Sequence, residues 1–231
     1  MVDRYLVETR PHDAFITVRF TGRERLTVFD VGACECLDSI RYRRQFPTAT
    51  VHAFEANPKN VARAKETLAR FGGDEIVLNG VALSDTVGEL DFFCSEGAPD
   101  GKMNDKHWDY GNKSGSILEP DMEKIHSVWN WLNFRKQEKI PCTTLTAYCE
   151  ANQIETIDLL HLDVQGAELL VLKGALPMIQ QIDSIWLEVS SERFHVGQAV
   201  ADDLHSFLQV NGFTRHLQDG NGLQWDELWC R

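Results

Sequence analysis

Five side chains carry most of the chemistry that this sequence offers: Asp30, Glu55, Asp163, Glu188 and His195. The four carboxylates stand at the ends of apolar runs, in "LTVFDVG", "TVHAFEA", "IDLLHLDV" and "IDSIWLEVS", and His195 lies just beyond the last. After Asp30 come Gly32 and Ala33, a turn at which backbone can approach a ligand closely. Glu55 follows that turn by roughly 20 residues, the spacing at which an acid reaches a ribose while the turn receives the rest of a nucleoside. A carboxylate suits that place because it accepts the protons of both ribose hydroxyls.

The turn lacks the third glycine of a dinucleotide fingerprint. Cys36 stands where a glycine is wanted, and residues 37 to 40 supply none. Glu35 would also repel a pyrophosphate at the N-terminus of the coming helix. The pattern favours a nucleoside without phosphates, and S-adenosylmethionine is the common one. Plainer readings stay open: Asp30 could cap the next helix, and Glu55 could pair with Lys59.

Methyl transfer from such a donor is an in-line displacement that aligns two reactants and removes a proton from a hydroxyl or amine. Asp163 and Glu188, both at carboxyl ends of expected strands, should face one crevice as base and orienter. They could instead give oxygen ligands to a divalent cation. The sequence names too few further ligands, so no metal site is assigned. His195 suits general-base work near neutrality. Glu168 divides between function and a capping role at the start of a helix. His107 and His126 are weaker candidates, and His161, inside a strand, reads as structural.

These residues need a scaffold, and strand and helix patterns alternate along the chain. "LTVFDVG", "TVHAFEA" and "EIVLNGVAL" read as strands, separated by helices over 37–46 and over "VARAKETLARF". Asn57-Pro58 starts the second helix, and Gly72-Gly73 closes it. "GELDFFC" is a fourth apolar run. "IDLLHLDV", "GAELLVLKGALPMI", "IDSIWLEVS" and "AVADDLHSFLQVNGF" continue as strand, helix, strand and helix. "GFTRHL" and "LQWDELWCR" then form an antiparallel hairpin. The expectation is an α/β, Rossmann-like fold with a mostly parallel seven-stranded sheet and helices on both faces. Residues 95–139 contain no clear strand, but their aromatics argue for an ordered lid or acceptor-side insertion in a single domain over 1–231.

Composition sets outer bounds. The 231 residues are 43% hydrophobic with a net charge of −12, which argues against a nucleic-acid substrate. Arg41, Arg43 and Arg44 read as a solvated helix face. The six cysteines lack zinc spacing and read as reduced thiols. No apolar run is long enough for a membrane span, and a cytoplasmic location is expected.

The chain resembles the FkbM family of S-adenosylmethionine-dependent methyltransferases. The matching pieces are "FDVGA", "FEANP", "NGVALSD", "GSILEP", "IPCTTLTAYCE", "IDLLHLDVQGAELLVLKGA" and "IWLEVS", and "LDVQGAE" with "KGA" is the most specific. The family carries Asn and Gly where this chain has Cys34 and Cys36. The resemblance implies that Asp30, Gly32 and Ala33 meet the methionine portion of the cofactor and that Glu55 holds the ribose. Ala56, Ala82 and Leu83 would flank the adenine, though Ala82 and Leu83 equally suit plain core. Asp163 would sit beside the sulfonium, and Ser114 and Ser116 could touch cofactor or acceptor. It also implies an O-methyltransferase acting on a small-molecule or glycan hydroxyl. A nicotinamide-dependent oxidoreductase and a non-catalytic nucleoside-binding module are the competing readings.

Overall fold

The computed structural model describes residues 2–73, 75–104 and 108–231. Two short helices, α1 (Val2–Tyr5) and α2 (Pro11–Arg19), come first. Then follow β1 (Thr27–Val31), α3 (Leu37–Gln45), β2 (Thr50–Phe54), α4 (Pro58–Phe71) and β3 (Ile76–Asn79). The middle of the chain forms β4 (Ala82–Ser84), β5 (Gly88–Glu96), α5 (Met122–Val128) and β6 (Asn133–Thr144). After it come α6 (Leu145–Asn152), β7 (Ile157–Leu162), α7 (Glu168–Gly174), β8 (Ile182–Ser190) and α8 (Ala201–Val210). The hairpin of β9 (Thr214–Asp219) and β10 (Gln224–Cys230) ends it.

Seven strands form one sheet in the order β3-β2-β1-β7-β8-β10-β9. Pairing is parallel from β3 through β8, and β10 runs antiparallel to both β8 and β9. This is the expected Rossmann-like sheet with its C-terminal hairpin. The chain builds outward from β1 to β3, then returns to place β7 on the other side of β1. A ligand crevice opens at such a reversal, beyond the carboxyl ends of the strands.

Strand alternation decides which side chains reach that crevice. Val28 packs with α3 and α4 on one face of the sheet, whereas Phe29 and Val31 pack with α6 and α7 on the other. Asp30 shares the Val28 face, and the β1–β7 register sets it beside His161. Asn57 caps α4 by accepting the Lys59 N–H at 3.0 Å, and Gly72 at φ +87° closes that helix.

Three expectations need correction. "EIVLNGVAL" is not one strand: it breaks after Asn79, and β4 leaves the main sheet for a three-stranded one ordered β4-β6-β5. Gly80, inside an apolar run, marks the bend. Residues 95–139 do contain strand, since β6 starts at Asn133 and pairs antiparallel with β5. Their aromatic stretch holds a short α-helix, α5, which ends at Val128. Arg41 is not solvated, because α2 covers α3 and buries its guanidinium between Asp13 (2.9 Å) and Asp38 (2.8 Å). Arg44 is exposed and Arg43 half-buried. No helix among the described residues is long and apolar enough to cross a membrane.

The hairpin backs β8, the strand that carries Glu188, and a buried carboxylate ties it down. Glu227 accepts hydrogen bonds from Trp225 Nε1 (2.8 Å), Trp229 Nε1 (2.9 Å) and Arg215 Nη1 (2.6 Å), and lies 2.9 Å from His205 Nε2. Burial alone would raise its pKa, but the Trp225, Arg215 and Trp229 donors outweigh burial and hold it below the ordinary glutamate value. Its stabilisation is therefore present above the unfolded-state pKa and lost as pH falls through the folded one. Glu227→Ala is expected to lower the unfolding free energy by about 3 kcal/mol in urea titrations, since it strands buried donors. Arg215→Ala, removing a half-exposed partner, should cost less than about 1 kcal/mol.

Candidate functional site

Three cavities meet at the carboxyl ends of β1, β2, β7 and β8. The first, about 560 Å³ with its open mouth, is lined by Gly32, Glu55, Ala56, Ala82, Leu83 and Ser116 among others. The second, about 630 Å³, takes in Asp30, Gly32, Ala33, Glu35, Asp38 and His161. The third, about 730 Å³, is walled by Trp129, Trp131, Phe134 and Phe194, with Ser114, Glu188, His195 and Gln224. Lys113 and Asp163 line all three. Asp30, Gly32, Ala33, Glu55, Ala56, Ala82, Leu83, Asp163, Glu188 and His195, all singled out in the sequence, each line at least one of them.

The turn after β1 is shaped by a missing side chain. Gly32 has φ +89°, and a Cβ on it would lie 1.8 Å from the backbone oxygen of Asp163. The N–H groups of Gly32 and Ala33 both donate to the Phe54 carbonyl at 2.9 Å, which fixes the turn against β2. Cys34 and Cys36 adopt left-handed backbone at φ +48° and +60°. Asparagine and glycine occupy that region most easily, and cysteine costs about 1 kcal/mol more there. Cys36 has its side chain fully buried in the core. All six cysteines are free thiols.

Glu55 and Asp30 are buried carboxylates with few partners. Glu55 accepts the Asn57 N–H at 2.7 Å, whereas Lys59 turns away to Asp109 at 2.8 Å, so the alternative pairing does not form. Burial pushes the Glu55 carboxyl up to about 7. Asp30 accepts the hydroxyl of Ser39 from α3 and lies 3.5 Å from His161 Nδ1, and burial raises its pKa to about 6. Glu35 is the opposite case: Arg63 (2.9 Å) and Lys113 (2.8 Å) both pair with it.

A row of acids crosses the sheet on the third cavity's side. Asp163 follows Leu162 and Glu188 follows Leu187, the last registered pair of β7 and β8. Asp226 opposes Glu188 on β10. Gln165 Nε2 bridges the first two, donating to Asp163 Oδ1 at 2.6 Å and Glu188 Oε2 at 3.3 Å, and Gln224 adds a donor to Glu188 at 3.1 Å. The Asp163 carboxyl is crowded by protein, which raises its pKa, yet it reaches the water of the cavities. Burial, then the charges of Asp163 and Glu168, push Glu188 well above the ordinary glutamate value.

Among the remaining candidates, His195 is buried, and neither ring nitrogen has a partner. Burial lowers its pKa to about 4, so the ring is neutral near physiological pH. Glu168 lines none of the three cavities; it accepts the N–H groups of Val164 (3.1 Å) and Gly166 (3.2 Å) and so fixes the loop that presents Gln165. His126 bonds the Leu132 carbonyl at 2.9 Å, and His161 bonds Tyr42 at 3.2 Å while its ring borders the second cavity. His107 lies outside the described residues. Sequence reasoning missed Lys113, Gln165, Asn112 and Gln224. Gln165 was within reach, since it stands inside "LDVQGAE". Among the described residues, no group of three His, Cys, Asp or Glu side chains is arranged to hold a metal ion.

A family model described as the methyltransferase FkbM domain matches residues 30–215. The 2-O-methyltransferase NoeI of Sinorhizobium fredii is 33% identical over 196 residues, covering 83% of this chain and 76% of that protein. Among solved structures, TrmK of M. capricolum with bound S-adenosyl-homocysteine is similar at TM-score 0.50 and 10% identity, over 96% of this chain and 68% of that one. The METTL16 methyltransferase domain is similar at TM-score 0.50 and 10% identity, over 95% and 66%. Both structures share the fold with this chain.

Gly32 should tolerate no side chain. Gly32→Ala is expected to cost at least about 3 kcal/mol, or to prevent folding, because backbone of β1 or β7 must move. Thermal melts of that variant beside Gly22→Ala, which has open space around it, check the point.

Proposed function

This chain belongs to the FkbM methyltransferase family, and we propose that it moves the methyl group of S-adenosylmethionine to a hydroxyl of a sugar, glycan or natural-product acceptor. The observation that carries this reading is the meeting of a nucleoside-sized cleft and an aromatic chamber at one carboxylate, Asp163. Family membership favours it over an oxidoreductase or a non-catalytic module. The similar NoeI is named as a 2-O-methyltransferase, which supports oxygen as the acceptor atom.

The residues present fit the cofactor. The cradle at Gly32 exists only because a Cβ is missing, and Glu55 has a buried carboxyl oxygen that could receive ribose hydroxyls. Glu55 would hold the ribose, and Ala56, Ala82 and Leu83 would flank the adenine. Asp30, Gly32 and Ala33 would hold the methionine end, with Asp163 beside the sulfonium. The bound cofactor would supply an electrophilic methyl group. No divalent metal enters this reading.

On the acceptor side, Trp129, Trp131 and Phe134 offer apolar walls for the carbon face of a ring. Glu188, its carboxyl pKa raised above the ordinary value by burial, stands in this chamber to position an acceptor oxygen. His195, neutral, takes the hydroxyl proton. Residues 95–139, which supply the chamber's aromatic wall, act as its acceptor-side cover. A net charge of −12 favours a small or neutral acceptor over a polyanion.

Transfer of labelled methyl groups to a panel of hydroxylated acceptors tests the reaction, and no transfer to any of them would count against it. His195→Ala should lower kcat by about 100-fold or more while donor affinity holds within about two-fold. A base with its pKa near 4 must be deprotonated to work, so kcat/KM should rise with pH through about 4 and be flat across 5.5 to 7 as far as His195 is concerned. Measured at saturating donor, so that Glu55 does not contribute, an acid limb near the ordinary histidine value of about 6.5 would exclude that role. Glu188→Gln, which still donates, should keep at least about ten-fold more activity than Glu188→Ala.

A further inference from the structure

The second cavity is rich in one sign of charge. Among the described residues, four carboxylates line it, Asp30, Glu35, Asp38 and Asp163, against a single ammonium, that of Lys113. On the reading proposed above, the amino-acid end of the donor lies there and brings one ammonium and one carboxylate. Its ammonium has acids to choose from. Its carboxylate needs donors, and three of the turn's amides are engaged: those of Gly32 and Ala33 by Phe54, and that of Cys36 by the Ala33 carbonyl at 2.6 Å. Tyr5 gives its hydroxyl proton to Asp38, and the Arg41 guanidinium is held by Asp13 and Asp38.

Lys113 remains. Its Nζ lies 2.8 Å from Glu35 Oε2, 3.7 Å from Cys34 Sγ and 4.4 Å from the centre of the Trp108 ring. An ammonium carries three protons, and two of these three partners, the Cys34 sulfur and the Trp108 ring, are weak ones that a carboxylate oxygen would outcompete. Glu35 has a second cation in Arg63, so it stays paired when Lys113 turns inward. We propose that Lys113 binds the α-carboxylate of the donor's methionine portion and so makes this site selective for a nucleoside with an intact amino-acid end. The Trp108 face and Glu35 hold the ammonium at the junction of the cavities, and the loop before α5 thereby becomes part of the donor site.

Calorimetric titration with S-adenosylhomocysteine and with its decarboxylated analogue, which keeps the amine, tests this in the wild type and in Lys113→Met. The wild type should bind the intact compound about 10- to 100-fold more tightly than the analogue, the strength of one charged hydrogen bond. Lys113→Met should bind both alike, with analogue affinity kept within about three-fold. Equal wild-type affinities would overturn the proposal without the variant, even if the variant failed to fold. A parallel loss of both ligands in Lys113→Met would also overturn it and make Lys113 a structural partner of Glu35. Wild-type silence toward both ligands would overturn the donor reading itself, and the proposal with it.

Discussion

The backbone oxygen of Asp163 stands almost where a side chain on residue 32 would have to be. That close approach sets the rest of the site. It lets β1 and β7 end side by side at the point where the sheet reverses its direction of growth. The two turns that follow, one bearing Cys34 and Glu35 and the other Gln165, then open toward each other. Each has residues at positive φ, which glycine or a tolerant polar residue makes possible. The first and third cavities share Asp163 because no Cβ separates these strands.

A second constraint is electrostatic. Asp30, Glu55, Glu188 and Asp226 are withdrawn from water with few cations to answer them, and burial raises the pKa of each. A carboxylate set this way is costly to ionise and ready to accept hydroxyl protons or a cationic partner. Glu35, Asp38 and Glu227 are arranged otherwise, each with an arginine within reach. The contrast separates acids paired with arginine inside the fold from buried acids left with few cationic partners. Perturbed acids gathered in one crevice are a mark of chemistry.

Much of this was legible in the sequence because strands buried in a parallel sheet read as apolar runs, and the acids at their ends stand out. Asp30, Glu55, Asp163 and Glu188 were found that way, and alternation with helices pointed to the sheet. β6 was hidden because its first half reads "RKQEK", polar on both faces, which resembles a charged loop rather than a strand. The break between β3 and β4 depended on where the chain could find a pairing partner, a tertiary fact. Arg41 looked solvated because nothing in its own helix shows that α2 lies across it. Lys113 and Gln165 act through side-chain direction, set by Glu35 and Glu188 from distant parts of the chain.

The central claim is that an adenosyl donor sits in this cleft with its ribose on Glu55. Titrating the wild-type protein with S-adenosylhomocysteine in buffers of different ionisation enthalpy tests it most directly. With Glu55 near 7 when empty, hydroxyl donors would favour its ionised form, so binding should release a proton. Affinity should then rise about ten-fold from about pH 6 to about pH 8, with no binding of NADH. Binding that neither releases protons nor changes with pH, or binding of NADH in its place, would contradict the account.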